Sequence, residues 1–368
     1  YENLKIDSYF WTINEQNSGA LSILLSNDNS QVIVQEHRKQ HGASIRCLEN
    51  IEGCTDEFAE NHDETANMDD GSCEYPDNGD YSLHFDGVDA WVDLTEWDLE
   101  QVFTIEMWVK PNLYQNDWAN ILDCSHNIND NWTIQKQGSS NQWAFWQGPN
   151  FQLSSDNWNH LTVVYNYGET NIFINGVLVS QHSAEIINYN NNRNLNLGMW
   201  AGDNNNAGRF FGGHIKDIHI SDNIRYIENF IPNTEIQVDN NTISLYKFNA
   251  GTGDILYDHS GNQNHGTIYG ATWIENIEGC TDEFAENHDE TANIDDSSCT
   301  YPDNGDYSLQ FDGVDDYVEI DLDENSLGKQ ATISVLINRN DWLNNDATII
   351  DLFNSSDSMN KRDIFSIK

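Results

Sequence analysis

The amino-acid sequence predicts an all-β protein in which two-sheet sandwiches follow one another in tandem, joined by short disulfide-stapled linkers. Short apolar runs with period-2 alternation are separated by Asn- and Gly-rich stretches, a pattern typical of strands joined by turns. We find no stretch with a convincing helical periodicity. A block of 39 residues, 51–89, recurs at 277–315 with only four differences, so 35 positions are identical. Such an internal repeat indicates a modular array.

The repeat divides the chain of 368 residues into five predicted parts. They are the end of a preceding module (1–50), a first linker (51–79), a complete sandwich (80–274), a second linker (275–305) and the first part of a second sandwich (306–368). The chain begins with Tyr1 and carries no signal peptide, so we expect it to be a mature or internal piece of a longer protein.

The strands of the complete sandwich follow from local patterns. Phe103–Lys110 alternates in polarity and places three apolar residues on one face, namely Ile105, Met107 and Val109. Trp158–Asn166 is apolar on both faces, as expected of a central strand. Asn171–Val179 carries Asn-Gly between two apolar runs, which is the strongest short signal for a hairpin.

The charge balance excludes two classes of partner. The chain has 61 acidic and 16 basic side chains, a net charge of −45 and a pI near 4.1. No basic surface is left to neutralise nucleic-acid phosphates or to dock on anionic lipid. The apolar runs are shorter than 18 residues, so we expect no direct membrane insertion. Because aromatics make up 11% of the chain, it can still bury a core.

Four of the six cysteines form two pairs with the same spacing, one pair in each linker. We predict the disulfides Cys54–Cys73 and Cys280–Cys299, which implies an oxidising, extracellular compartment. A zinc site would need Cys47 as a fourth ligand, but the second repeat has Trp273 at that position, so zinc is disfavoured.

The two remaining cysteines belong to neither predicted pair. We expect Cys47 to pair with a cysteine outside the chain. Cys124 is expected to be buried.

Each linker also contains closely spaced carboxylates and amides, oxygen ligands that suit calcium. The alternative is that they cap turns on a solvated acidic surface. The candidate ligands are Asp56, Asn61, Asp63, Asn67, Asp69 and Asp70, and in the second copy Asp282, Asn287, Asp289, Asn293, Asp295 and Asp296. A structural calcium ion is therefore the predicted cofactor.

Several motifs of the sandwich together resemble the laminin-G-like, concanavalin A-like jelly-roll domains. They are FDGVDAWVDL at 85–94, FTIEMWVKP at 103–111, WNHLTVVYN at 158–166, GGHIKDIHIS at 212–221 and LYKFNAGTGDILYDHSGNQNHGTIYGATW at 245–273. The resemblance implies a jelly roll that often binds a structural calcium near its rim. Its candidate ligands are Asp86, Asp89, Asp123 and Asp217, and the alternative is that these residues only end strands. Lys216-Asp217 departs from the acidic pair usual in the family.

The flanking segments resemble parts of secreted bacterial surface proteins. The linker motif GCTD…DDGSC is similar to repeats of large multidomain adhesins, and Tyr9–Asn50 resembles the end of a FISUMP-type surface domain.

Loop tryptophans are the candidate ligand-binding residues, because aromatic rings can stack on sugars. We favour Trp118 and Trp200, which lie in Asn- and Asp-rich stretches, although most sandwich tryptophans are core residues.

The sequence contains no HExxH, GxSxG or P-loop motif, so we expect no enzyme activity in this segment. We predict a repeat segment of a secreted cell-surface adhesin or fibre that binds glycans and adjoins further repeats. The alternatives are a carbohydrate-binding module array of a secreted glycan-degrading enzyme and a purely structural stalk.

Overall fold

A computed structural model describes most of the chain. The described residues are 8–16, 19–25, 32–38, 50–96, 101–124, 132–145, 148, 150–183, 194–200, 209–233, 236–312, 314–320, 332–338, 349–353 and 363–367. Within these ranges the regular structure consists of strands alone, as predicted from the sequence. The described part of the chain has no helix with the length and apolarity that a membrane crossing requires.

The strands are numbered in chain order. Those before the sandwich are β1 (Ser8–Gln16), β2 (Gly19–Leu25), β3 (Val32–Arg38), β4 (Glu52–Gly53) and β5 (Met68–Asp69). Those of its first half are β6 (Tyr81–Asp86), β7 (Trp91–Glu96), β8 (Val102–Pro111), β9 (Asn120–Asp123), β10 (Thr133–Lys136), β11 (Trp143–Phe145), β12 (Asn150–Phe151) and β13 (Asn159–Asn166). Those of its second half are β14 (Glu169–Ile174), β15 (Val177–Ser183), β16 (Asn194–Leu197), β17 (Gly212–Ser221), β18 (Thr242–Tyr246), β19 (Ile255–Leu256), β20 (Gly266–Tyr269) and β21 (Thr272–Glu275). The last are β22 (Glu278–Gly279), β23 (Ile294–Asp295), β24 (Ile350–Phe353) and β25 (Asp363–Ile367).

Two eight-stranded sheets form the sandwich. Sheet I has the order β12-β11-β10-β9-β16-β7-β20-β19, and sheet II has the order β15-β14-β13-β8-β17-β6-β21, with β18 paired to β17. All the strand pairs within these two sheets are antiparallel. The predicted all-β sandwich is therefore confirmed for the segment from Tyr81 to Glu275.

The local predictions for sheet II are confirmed. The alternate apolar residues of β8 all point into the core and are fully buried, namely Ile105, Met107 and Val109. Strand β13 lies between β14 and β8 and is buried on both faces. Asn175 and Gly176 join β14 to β15 with φ angles of 50° and 74°, which is the geometry of a two-residue hairpin turn.

The outer face of sheet II is also covered, although alternation typically leaves such a face to water. Glu106 is almost fully buried there, and its carboxylate accepts hydrogen bonds from His219 Nδ1 at 2.9 Å and Tyr226 Oη at 3.0 Å. The Tyr226 ring stacks on Phe230, with ring centroids 3.6 Å apart. The segment that follows β17 thus turns the polar face of β8 into a second buried layer.

Both predicted disulfides are present. Cys54–Cys73 and Cys280–Cys299 have the same Cα–Cα distance of 4.8 Å, and each linker also holds a two-residue parallel strand pair. Cys124 is buried, as expected. Cys47 lies outside the described residues, so its pairing stays a prediction.

The chain enters and leaves the sandwich at adjacent strands. Tyr81 of β6 pairs with Glu275 of β21, and the backbone N–H of Asn276 donates to the carbonyl of Asp80 at 2.9 Å. The two linkers therefore attach at the same end of sheet II. In the second repeat, residues 306–312 and 314–320 contain no strand, and most of their large apolar side chains are exposed.

Candidate functional site

A rim of the sandwich is formed where β6 and β8 end and β17 begins. Gly212 pairs with Asp86, and Gly213 pairs with Pro111. Asn116, in the loop after β8, donates from Nδ2 to the carbonyls of Gly87 and Phe210 and so ties two loops together. The rim site is defined here as Trp118, Trp200 and Arg209 together with the adjoining loop Asp86–Ala90.

Trp118 lies on the loop between β8 and β9 and remains 42% exposed. Its backbone φ of 61° is in the left-handed region, which costs free energy for a bulky residue and is typical of functional positions. A Cβ added at Gly138 would lie 3.5 Å from Trp118 Cζ2, so the ring packs beside that glycine.

Trp200 is nearly buried, with 8% of its surface exposed, and Arg209 covers its ring. The guanidinium carbon of Arg209 lies 4.1 Å from the centroid of the Trp200 ring and 5.8 Å from that of Trp118. Both distances are within the range of a cation–π interaction. The two tryptophans favoured from the sequence are therefore brought together by one arginine.

Arg209 was missed by the sequence reasoning. Its φ of 65° is also left-handed, and its backbone carbonyl accepts a hydrogen bond from the N–H of Asn120 at 2.8 Å, which fixes it to the start of β9. Burial lowers the pKa of the guanidinium, and the carboxylate of Asp123 opposes that shift. The sequence signal that could have indicated Arg209 is its isolated positive charge in a chain with only 16 basic side chains.

Asp86 organises the neighbouring loop. Its Oδ1 accepts backbone hydrogen bonds from Val88, Asp89 and Ala90 at 2.8, 3.1 and 3.2 Å. Burial raises the pKa of Asp86, but these hydrogen bonds outweigh it and hold the pKa below the ordinary value. Asp86 and Asp89 therefore lie at the rim, where Asp86 has a structural role at the end of its strand.

Asp217 lies away from the rim site. It occupies an irregularity in β17 at a φ of 52°, and its carboxylate is 3.9 Å from Lys216 Nζ, which also bonds Asp80 at 3.0 Å. Burial raises the pKa of Asp217 to about 7, although Lys216 acts in the opposite direction. Asp123, by contrast, is fully buried at the end of β9.

The candidate carboxylates of the linkers accept hydrogen bonds that close turns. Most of these carboxylates accept a hydrogen bond from the backbone N–H of the residue two positions later in the chain, as in Asx-turns. The pairs in the first linker are Asp56/Phe58, Asp63/Thr65, Asp69/Gly71 and Asp70/Ser72, and those in the second are Asp282/Phe284, Asp289/Thr291, Asp295/Ser297 and Asp296/Ser298. Each candidate amide accepts a longer-range backbone N–H, as in Asn61/Glu74, Asn67/Ile51, Asn287/Thr300 and Asn293/Ile277.

These turns are the structural role that the sequence offered as the alternative to calcium. Within the described ranges, the acidic, His and Cys side chains bring three ligand atoms within 4.8 Å of one another only at Asp312, Asp315 and Asp316. All three are exposed. They correspond to Asp86, Asp89 and Ala90 of the first repeat, which has two of the three carboxylates.

A contact between the first linker and the sandwich was also missed from the sequence. Asp56 Oδ2 accepts hydrogen bonds from Tyr75 Oη and from His265 Nε2, both at 2.6 Å. Since His265 Nδ1 accepts the backbone N–H of Asp258 at 2.9 Å, Nε2 carries the proton that points at Asp56. The histidine is thus held as a donor by the sandwich, and the linker supplies the acceptor.

The comparison with protein families finds one match, within the sandwich. Residues 86–225 match the model of the concanavalin A-like lectin/glucanases superfamily, a laminin G type. This part of the chain is similar to concanavalin A-like, laminin-G-like domains. No curated protein matches the chain.

Solved structures resemble the chain at low identity. A candidate carbohydrate-binding protein from Bacteroides ovatus shares 13% identity over 73% of this chain and 81% of that one, with a TM-score of 0.44. A pentraxin from Limulus polyphemus shares 13% identity over 41% of this chain and 79% of that one, with a TM-score of 0.33. Domains LG4-5 of mouse laminin alpha1 share 12% identity over 43% and 48% of the two chains, with a TM-score of 0.31.

Proposed function

We propose that this chain is a non-enzymatic, glycan-binding segment of an extracellular adhesin or surface fibre, and that the rim site is where it binds. The observation that carries the proposal is the joining of Trp118, Trp200 and Arg209 at the rim of a lectin-type sandwich. The exposed face of an indole ring suits the apolar face of a sugar, and a guanidinium donates hydrogen bonds to hydroxyl or carboxylate oxygens.

The backbone supports this assignment. Trp118 and Arg209 are both held at left-handed φ angles. Asn116 Nδ2 donates to the carbonyl of Phe210, next to Arg209, and Asn120 of β9 donates from Nδ2 to the carbonyl of Trp118. A site whose side chains are positioned before the ligand arrives loses less conformational entropy on binding. An extracellular location is supported by the two disulfides, because such bonds persist in oxidising compartments.

Glycan binding is tested on an array, followed by calorimetry with the best ligand. We expect Trp118→Ala to weaken binding by about 10-fold or more, since loss of one aromatic stacking contact costs about 1.5 kcal/mol. Arg209→Lys keeps the charge but loses the planar donors, so it should also weaken binding.

The chain offers a matched control. Trp158 is a partly buried tryptophan directly before β13, and Lys216 Nζ lies 5.6 Å from its ring centroid. Trp158→Phe should leave glycan affinity unchanged. Binding that survives Trp118→Ala and Arg209→Lys at full strength would exclude the rim site, and an array without any hit would favour the purely structural stalk.

Calcium at the rim is a further part of the proposal. The Oδ2 atom of Asp86 and the carboxylate of Asp89 are the oxygens of the first repeat that would hold the ion, because Asp86 Oδ1 is already engaged by three backbone N–H groups. Calcium takes six to eight oxygens, so backbone carbonyls and water would complete the shell. Bound calcium would add positive charge beside the sugar-binding rings.

A further inference from the structure

The two linkers form a docked and an undocked version of the same unit. The first linker packs on the sandwich edge formed by residues 255–265, whereas the described contacts of the second linker are largely internal. Because the two linkers are nearly identical in sequence, a difference in exposure between equivalent side chains reflects what packs against each linker.

The docked face of the first linker consists of three side chains. Asp56 is 3% exposed and accepts the His265 hydrogen bond. The ring of Phe58 meets the ring of His265 edge-on, with centroids 5.4 Å apart. Tyr75 stacks on Tyr257 at 5.3 Å. One hydrogen-bonded acceptor is thus surrounded by aromatic contacts that exclude water from it.

The sandwich edge is organised to receive this face. Asp258 is fully buried, and its carboxylate accepts hydrogen bonds from Leu245 N, Ser260 N and Asn264 N at 2.9, 2.9 and 3.0 Å. These bonds shape the loop that ends at His265. The edge therefore presents a donor histidine whose orientation is set within the sandwich itself.

The second linker has the same face already formed. Tyr301 Oη donates to Asp282 Oδ2 at 2.6 Å and the N–H of Phe284 donates to Asp282 Oδ1 at 2.9 Å, the same two distances found in the first linker. Phe284, however, is 80% exposed, compared with 45% for Phe58. The face is preorganised and open, and among the described residues no histidine donates to its acceptor.

We propose that the second linker is a docking unit that binds a sandwich edge of the kind formed by Tyr257, His259 and His265, as a second copy of this sandwich supplies. The occupant is identified by complementarity, since the first linker shows the same three side chains engaged with that edge. Each linker would thus be fixed rigidly to a sandwich edge, instead of acting as a flexible spacer.

The experiment uses the full chain with its own edge opened. The triple variant Asp56→Ala/Phe58→Ala/Tyr75→Ala releases the first linker and makes the edge available to second linkers. Hydroxyl-radical footprinting measures the exposure of Phe284 and Tyr301, and sedimentation velocity measures self-association. The matched control adds His265→Ala, which removes the donor from the edge.

We expect labelling of Phe284 and Tyr301 to fall several-fold in the triple variant relative to the wild type, and to recover when His265→Ala is added. Head-to-tail association accompanies the protection when the edge belongs to another copy. Labelling equal to that of the wild type, at concentrations up to about 1 mM, would overturn the proposal. If the triple variant does not fold, Asp56→Ala alone removes the acceptor of the His265 hydrogen bond, and labelling of Phe284 and Tyr301 is read in the same way.

Discussion

Asp56 and Asp282 are the same residue of the repeat in two environments, and this allows a controlled test of the linker contact. Asp56→Ala removes the acceptor of three hydrogen bonds, from Tyr75 Oη, His265 Nε2 and Phe58 N, at a position that is 3% exposed. Removing one partner from a buried, charged hydrogen-bonded pair costs about 3 kcal/mol or more. For a domain of this size we expect the melting temperature to fall by about 6–12 °C.

The assay is thermal unfolding at neutral pH, followed by calorimetry, with Asp282→Ala as the control. Asp282 makes the same two contacts within its linker, and no histidine in the described ranges donates to it, so Asp282→Ala should leave the melting of the sandwich unchanged. Equal shifts in the two variants, or no shift in Asp56→Ala, would refute the reasoning that the sandwich contact is what stabilises the first linker.

The same residue predicts a pH dependence. Burial raises the pKa of Asp56, but the hydrogen bonds from Tyr75, Phe58 and His265 outweigh it, so the folded-state pKa lies below 3.8. Its contribution to stability is therefore fully present above pH 3.8 and is lost as the pH falls through the lowered folded value. In acid, the difference in melting temperature between the wild type and Asp56→Ala should narrow. A difference that stays constant down to pH 2 would contradict this assignment.

Four other predictions address the disulfides, the irregular strand, the rim and the proposed ion. Cys54→Ala/Cys73→Ala opens a loop of about 20 residues, which the chain-entropy model values at about 3 kcal/mol, so hydrogen exchange of the first linker should accelerate by about 100-fold. Because burial raises the pKa of Asp217 to about 7, its favourable contribution below pH 3.8 is lost as the pH rises to 7. Between pH 3.8 and 7, the melting temperature of Asp217→Asn should rise relative to that of the wild type. Parallel curves of melting temperature against pH would contradict this. Gly198→Ala places a Cβ 2.5 Å from Phe85 Cδ1 at a φ of 86°, so calorimetry should show a clear loss of stability. Added calcium should raise the melting temperature, and EDTA should lower it again. A melting temperature that does not change when EDTA is added would remove calcium from the proposal.

The strands were predictable because their signals are local. The alternation of β8, the two-sided apolarity of β13 and the Asn175-Gly176 turn depend on residues a few positions apart, and each is where the sequence predicted it. The disulfides were predictable for a related reason, since each closes a short loop whose spacing recurs in both repeats.

The sites were less predictable because their partners are distant in the chain. Trp118 and Trp200 could be selected by composition, but nothing local indicates that Arg209 joins them. The hydrogen bond between Asp56 and His265 spans 209 positions. The burial of Glu106 contradicts its alternation pattern, because a later segment covers that face of β8.

The sequence by itself determined the all-β class, the repeat, the linker disulfides and the strongly acidic net charge, since these depend on composition and short-range spacing. Only the tertiary structure decided which loops share the rim and which copy of the linker face is engaged. Asp56 shows this, because it lies in a segment nearly identical to that of Asp282 and is buried through the sandwich edge that packs against it. Burial is a property of long-range packing, and a linear sequence specifies it only through the complete fold.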